Sequence, residues 1–298
     1  MYCASLFLLA IFLYFLYFAW VKLLAMLEKF ILGFEHIPSS IRALILAGGI
    51  TLFWLVESAF PLFNFTYNKW KHAGVNIFFT ATTIIVNFAF ALLIVFASRW
   101  CIVHSFGVLQ WISLPFWWQL VVGLLILDLI GAYLIHLIQH KVRWMWKFHM
   151  IHHADTYVDT TTANRHHPGE SVFRAVFAIL AVFVCGSPMW LIMIYQSLSV
   201  LLSQFNHANI RLPRWLDKFL SLIIVSPDMH KVHHHYMRPE TDTNYGNIFS
   251  FWDRIFGTYH STPVDQLKYG LDVLEGTKDH NLKTQLKMPF DASIKTGR

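Results

Sequence analysis

Long uncharged runs alternate with short polar joints along the first half of this chain. Met1–Val21, His72–Ser98 and Trp100–Leu127 contain no Asp, Glu, Lys or Arg. About 20 apolar residues suffice to cross a bilayer. The pattern predicts transmembrane helices near residues 3–27, 41–60, 75–98 and 117–140. The first lacks a basic leader and a small-residue cleavage site, so it is expected to be a retained span rather than a signal peptide. Gly48, Gly49 and Glu57 make the second the least apolar of the four.

A further uncharged stretch, Ala175–Ile210, is interrupted by Gly186-Ser187-Pro188. Proline removes a backbone donor, and the residue before it resists helix. Two segments of about 14–17 residues would each rise roughly 21–26 Å. That is short of a hydrocarbon core of about 30 Å. Histidine clusters lie before and after the stretch. A hairpin that enters the membrane and returns to the same face would let them share one site.

Polar residues in the second half are dominated by histidine. His136 and His140 are spaced i, i+4, and Asp128 lies two further such steps back. His149, His152 and His153 form HxxHH, and His230, His233 and His234 repeat it. Positions i, i+3 and i+4 converge on one helix face. Neutral imidazole suits iron, copper and zinc, and a structural zinc site needs about four ligands. A set this large implies two metals. His166 and His167 precede Pro168, and His207 follows the hairpin; one of the first pair and His207 are expected to complete the set. Asp128, a carboxylate at membrane depth, is expected to orient a ligand histidine. His235 is expected beside the site rather than in it. His36, His72, His104, His260 and His280 are isolated and read as ordinary polar or interfacial residues.

Composition agrees with a membrane protein. Of 298 residues, 56% are hydrophobic and only 13% charged, where a soluble domain has about a quarter. The net charge of +6 comes mostly from residues at membrane edges. Lys69 and Lys71 lie on the histidine side, and Lys141, Arg143, Lys147 and Arg165 follow the fourth span. The opposite loops hold mainly Lys29 and Arg99. The positive-inside rule then makes the histidine face cytoplasmic. No nucleic-acid motif is present. Cys3, Cys101 and Cys185 are scattered, with no CxxC, so neither a disulfide framework nor a thiolate metal site is indicated.

From residue 120 to 262 the chain resembles the fatty acid hydroxylase / sterol desaturase superfamily. The resemblance rests on Asp128, His136-x-x-x-His140, Trp146-Lys147-Phe148-His149-x-x-His152-His153, Asp159-x-Thr161-Thr162 and Arg165-x-His167-Pro168. It continues through Asn206-His207, His230-x-x-His233-His234, Asp242-x-Asn244-Tyr245-Gly246 and Trp252-Asp253-x-x-Phe256-Gly257-Thr258. It implies a four-helix transmembrane core capped by a cytoplasmic histidine-rich domain. It also implies two non-haem irons, O2 as co-substrate, a membrane lipid substrate and a separate electron donor, cytochrome b5-like or ferredoxin-like. Fatty acid 2-hydroxylases carry two histidines near the position of His207, where this chain has one. His167 is therefore expected to complete the second metal site.

The expected architecture is an all-α membrane protein of about four spans, a short hairpin and a helical histidine-rich cap. Its units are residues 1–116, a catalytic domain over 117–262 and a polar tail over 263–298. The expected activity is hydroxylation or desaturation of a fatty acyl, sterol or ether lipid, with hydroxylation favoured. A zinc-dependent hydrolase would need a carboxylate ligand or base, and the clusters contain almost none. A haem carrier needs only paired axial histidines. A non-catalytic metal- or lipid-binding protein would have no need of intact boxes.

Overall fold

The computed structural model describes residues 2–274 and 281–294, without the side chains of residues 2–12 and 15. His280 lies outside this range. The described residues form helices and loops with no strand. The main helices are α1 (Tyr2–Leu32), α2 (Ser39–Ala59), α3 (Lys69–Val103) and α4 (Phe116–Lys141). After α5 (Arg143–His153) come the paired α6 (Pro168–Cys185) and α7 (Met189–His207). Short helices α8 (Arg214–Leu220), α9 (Pro227–His233), α10 (Phe251–Ile255) and α11 (Leu282–Lys287) complete the chain.

Local chemistry sets the helix ends. The Asn68 side chain accepts the backbone N–H of Lys71 and starts α3. Ser226 does the same for Met229 ahead of α9, with Pro227 at the first helical position. Such caps satisfy donors that the first turn leaves open. Gly186 ends α6 in the left-handed region, at φ 71°, which a residue without Cβ adopts at no steric cost. Pro188 then opens α7.

Among the described residues, four helical stretches are long and apolar enough to cross a membrane: α2, Lys69–Trp111, α4 and α6. The second, third and fourth expected spans coincide with the first three of these, and the first coincides with α1. The outer face of α3 matches a lipid environment, since Phe88 is 82% exposed. The inner faces of α3, α4, α6 and α7 meet around Ala97, Leu127, Val182, Leu191 and Ile192.

The hairpin differs from expectation in length. Its arms have 18 and 19 residues, because α6 begins at Pro168 and not near Ala175. His167 caps it by accepting the backbone N–H of Gly169. Glu170 and Arg174, which bounded the apolar run in sequence, lie inside its first turns. An arm of 18 residues rises about 27 Å, so α6 reaches nearly across the core. The hairpin does return: Glu170 at its start and His207 at its end both contact the α5 histidines.

Above the membrane helices, α5 packs with the C-terminal segment. Trp146, Met150 and Ile151 form a core with Phe79, Leu271, Met288 and Ile294. Residues 281–294, expected as a peripheral tail, thus cover the back of a histidine-bearing helix.

Candidate metal centre

Nine histidines converge where α4, α5, α7 and α9 meet, in two buried groups. One holds His136, His140, His149, His153 and His233, and the other His152, His207, His230 and His234. Within each group the candidate ligand atoms lie within 4.8 Å of one another. Each HxxHH box serves both. In α5 the i, i+4 pair His149 and His153 joins the first group, and His152 faces the second. In α9 the pair His230 and His234 joins the second, and His233 faces the first. Crossing boxes in this way places two sites side by side on two short helices.

Outer hydrogen bonds fix which nitrogen faces inward. His136 Nδ1 donates to the Tyr245 carbonyl at 2.8 Å and His233 Nδ1 to that of Thr243 at 2.7 Å. His207 Nδ1 donates to the Ser203 carbonyl at 2.7 Å. A carbonyl only accepts, so each ring must be protonated at Nδ1 and bare at Nε2. His149 Nδ1 is held by Glu170 Oε1 at 2.8 Å. His140 Nδ1 meets Asp242 Oδ1 at 3.2 Å.

The inward-facing nitrogens crowd one another. His136 Nε2 stands 3.1 Å from His149 Nε2, and His153 Nε2 stands 3.2 Å from the same atom. His207 Nε2 lies 3.1 Å from His152 Nε2 and 3.0 Å from His230 Nε2. One lone pair cannot serve two such neighbours by hydrogen bonding alone. Nitrogens about 2.1 Å from a shared ion, at near-right angles, stand about 3 Å apart. His234 is fully buried, with neither ring nitrogen hydrogen-bonded among the described residues. The donor set therefore fits two metal ions. Burial holds His149, His152, His153, His230 and His234 well below the ordinary histidine value, so these rings are neutral, the form that binds metal.

Two expected site residues lie elsewhere. His167 belongs to neither group. Its Nδ1 caps α6 and its Nε2 donates to the Leu286 carbonyl at 3.3 Å. His166 comes nearer, with its ring 5.0 Å from that of His152. Asp128 hydrogen-bonds to no histidine among the described residues. Its carboxylate accepts the backbone N–H groups of Ile248 and Phe249 at 3.3 and 3.1 Å, and the Trp252 indole at 3.1 Å. The separation is one of depth: Asp128 lies eight residues before His136, about 12 Å further along the helix, where the Ile248–Trp252 segment packs against it. A π-helical turn at Leu129–Leu134 lies between the two residues.

Two partners were not anticipated from sequence. Glu170, fully buried, orients His149 and lies 3.7 Å from His166; its only sequence signal is an acid beside an apolar run, four residues after His166. His72, read as ordinary, is buried between two carboxylates. Its Nε2 lies 2.8 Å from Asp155 and its Nδ1 3.2 Å from Asp159. Despite burial, His72 and Arg165 hold the Asp155 carboxyl well below the usual carboxylate range. Glu57 of α2 accepts the backbone N–H groups of Thr160 and Asn209, each at 3.0 Å. The membrane helices α2 and α3 thus grip the loop that follows α5 and the end of α7.

Residues 120–258 match the family model described as Fatty acid hydroxylase. An ornithine lipid hydroxylase of Rhizobium tropici is 27% identical over 52% of this chain and 44% of its own length. An alkylglycerol monooxygenase of Danio rerio is 31% identical over 57% of this chain and 36% of its own. A methylsterol monooxygenase of Arabidopsis thaliana is 26% identical over 52% of this chain and 59% of its own. The chain thus spans about half the length of these relatives, or less. No solved structure is significantly similar. The chain is an integral membrane protein whose residues 120–258 match the fatty acid hydroxylase family, consistent with the fatty acid hydroxylase / sterol desaturase superfamily.

Proposed function

We propose that this protein uses O2 and two electrons to hydroxylate a membrane lipid at a pair of non-haem irons. His136, His140, His149, His153 and His233 would hold one iron, and His152, His207, His230 and His234 the other. The observation that carries the reading is the all-imidazole lining of two adjacent groups. Several nearby carboxylates have other partners: Asp155 with His72 and Arg165, Asp253 with Tyr245, Gly246 and Thr258, and Glu170 through one oxygen with His149. The match to a family whose relatives include lipid hydroxylases and monooxygenases supports the same reading.

When bound, the irons would supply the oxidant that an unactivated C–H bond requires. The protein's own part is positional. Tyr245, Thr243, Ser203 and Glu170 hold each ring so that its bare nitrogen faces inward, and burial keeps the imidazoles neutral and water out. An acyl chain or sterol would enter from the bilayer that the candidate membrane helices cross. Electrons would come from a separate cytochrome b5-like or ferredoxin-like protein, on a face that the basic loops make cytoplasmic.

The test is to give the purified protein Fe(II), an electron donor and a total lipid extract under labelled O2. A product carrying one labelled oxygen atom is expected. A new double bond without label would establish desaturation instead, and turnover with zinc in the absence of O2 would overturn the oxidase reading.

A further inference from the structure

Between the membrane hairpin and the last histidine box runs an apolar surface that is open in this structure. Trp215, Phe219, Leu222 and Ile223 are 71%, 61%, 59% and 57% exposed. Trp215 and Phe219 are i, i+4 in α8 and share a face. Arg211, Arg214 and Lys218 are exposed beside them. Asp217, the one acid of α8, is instead buried and accepts the backbone N–H of Asp228 at 3.2 Å. The outward surface is therefore apolar and cationic, with its negative charge turned inward.

The level of this surface in the fold is fixed by backbone bonds. Pro61 and Ile210 form a bridge. The N–H of Leu62 donates to the Asn209 carbonyl, and that of Arg211 to the Phe60 carbonyl, at 3.0 and 2.9 Å. The chain leaving α7 is thus tied to the chain leaving α2, a candidate membrane-spanning helix, at the end of that helix. Trp54 and Trp70 pack at the same end, 5.3 Å between ring centroids, with the Lys69 ammonium over Trp54. Tryptophan with lysine marks a membrane–water boundary. Only three residues separate Ile210 from α8.

We propose that residues 211–223 lie in the plane of the leaflet on the histidine-bearing side. Trp215, Phe219, Leu222 and Ile223 enter the acyl boundary, and Arg211, Arg214 and Lys218 sit against anionic headgroups. This is the arrangement of an interfacial amphipathic helix, and the basic residues select anionic over neutral lipid. Because α9 follows within a few residues, the segment fixes the last histidine box against the membrane surface. The proposal rests on the chain's membrane integration and on no assignment of its reaction.

A Phe219→Cys variant in a Cys3→Ser background would be labelled with an environment-sensitive dye. Cys101 and Cys185 are buried and escape modification. The full chain would be reconstituted into vesicles of phosphatidylcholine with phosphatidylglycerol. Nitroxide-labelled phospholipid is expected to quench the dye several-fold more strongly than aqueous iodide. Adding Arg214→Glu and Lys218→Glu should move the dye toward iodide in these vesicles, with a smaller change in phosphatidylcholine alone. A Leu222→Cys label gives a second reading should the first variant fold poorly. Dominant iodide quenching at both positions would overturn the proposal. So would protection from both quenchers, which would mark a protein partner or a second copy of this chain.

Discussion

The Glu170 carboxylate holds Nδ1 of His149 at 2.8 Å, joining the first turn of a membrane helix to the helix that carries the first HxxHH box. That bond aims His149 Nε2 at His136 and His153. An outer carboxylate of this kind fixes the ring's tautomer and raises its basicity. Glu170→Ala should lower iron affinity about 10- to 100-fold, while Glu170→Gln, which keeps an acceptor oxygen, should lose less. Iron titration of both variants against an optical chelator measures the difference. Equal affinity in the wild type and Glu170→Ala would remove this role.

His152→Ala takes a nitrogen from the four-histidine group and His233→Ala one from the five-histidine group. Each should roughly halve the bound iron and abolish lipid oxidation, since loss of a ligand exceeds the effect of an outer partner. Metal analysis of anaerobically purified protein gives the ratio. His235→Ala, outside both groups, should retain iron and most activity.

His167→Ala provides a contrasting control. The imidazole caps α6, and losing a cap costs about 1 kcal/mol. A modest fall in thermal stability is expected, with iron content unchanged. A missing iron in this variant would return His167 to the ligand set.

Asp128→Ala should act on folding and not on metal content. It leaves the Ile248 and Phe249 N–H groups and the Trp252 indole without their acceptor in a buried setting. Each stranded donor costs about 1–3 kcal/mol. Lower yield and melting temperature are expected, with normal iron per folded molecule. Asp128→Asn, retaining one acceptor oxygen, should recover part of the loss.

Removing the metal should destabilise the cap. Ring nitrogens 3.0–3.2 Å apart surround each group, and an ion that binds only the folded state stabilises it by mass action. Chelation should lower the melting temperature, and Fe(II) should restore it. Unchanged melting after complete chelation would show that the groups are packed for some other purpose.

Much of this molecule was determined by sequence alone. Uncharged runs define the membrane helices because the bilayer core tolerates few charges, and this constraint acts locally along the chain. Histidine spacing of three and four residues marks ligand-bearing faces because helix geometry is periodic. Tertiary structure decided how those faces are shared. His149 and His152 lie in one box but face different groups, because α9 approaches α5 with its own box offset. Asp128, two turns deeper than His136, was claimed by the Ile248 and Phe249 N–H groups and the Trp252 indole, a partnership that helical spacing does not signal. Glu170 and His72 acquired their roles from helices that arrive from elsewhere in the chain. A buried polar group takes whichever partner the packing presents, and distance along the sequence carries no information about that choice.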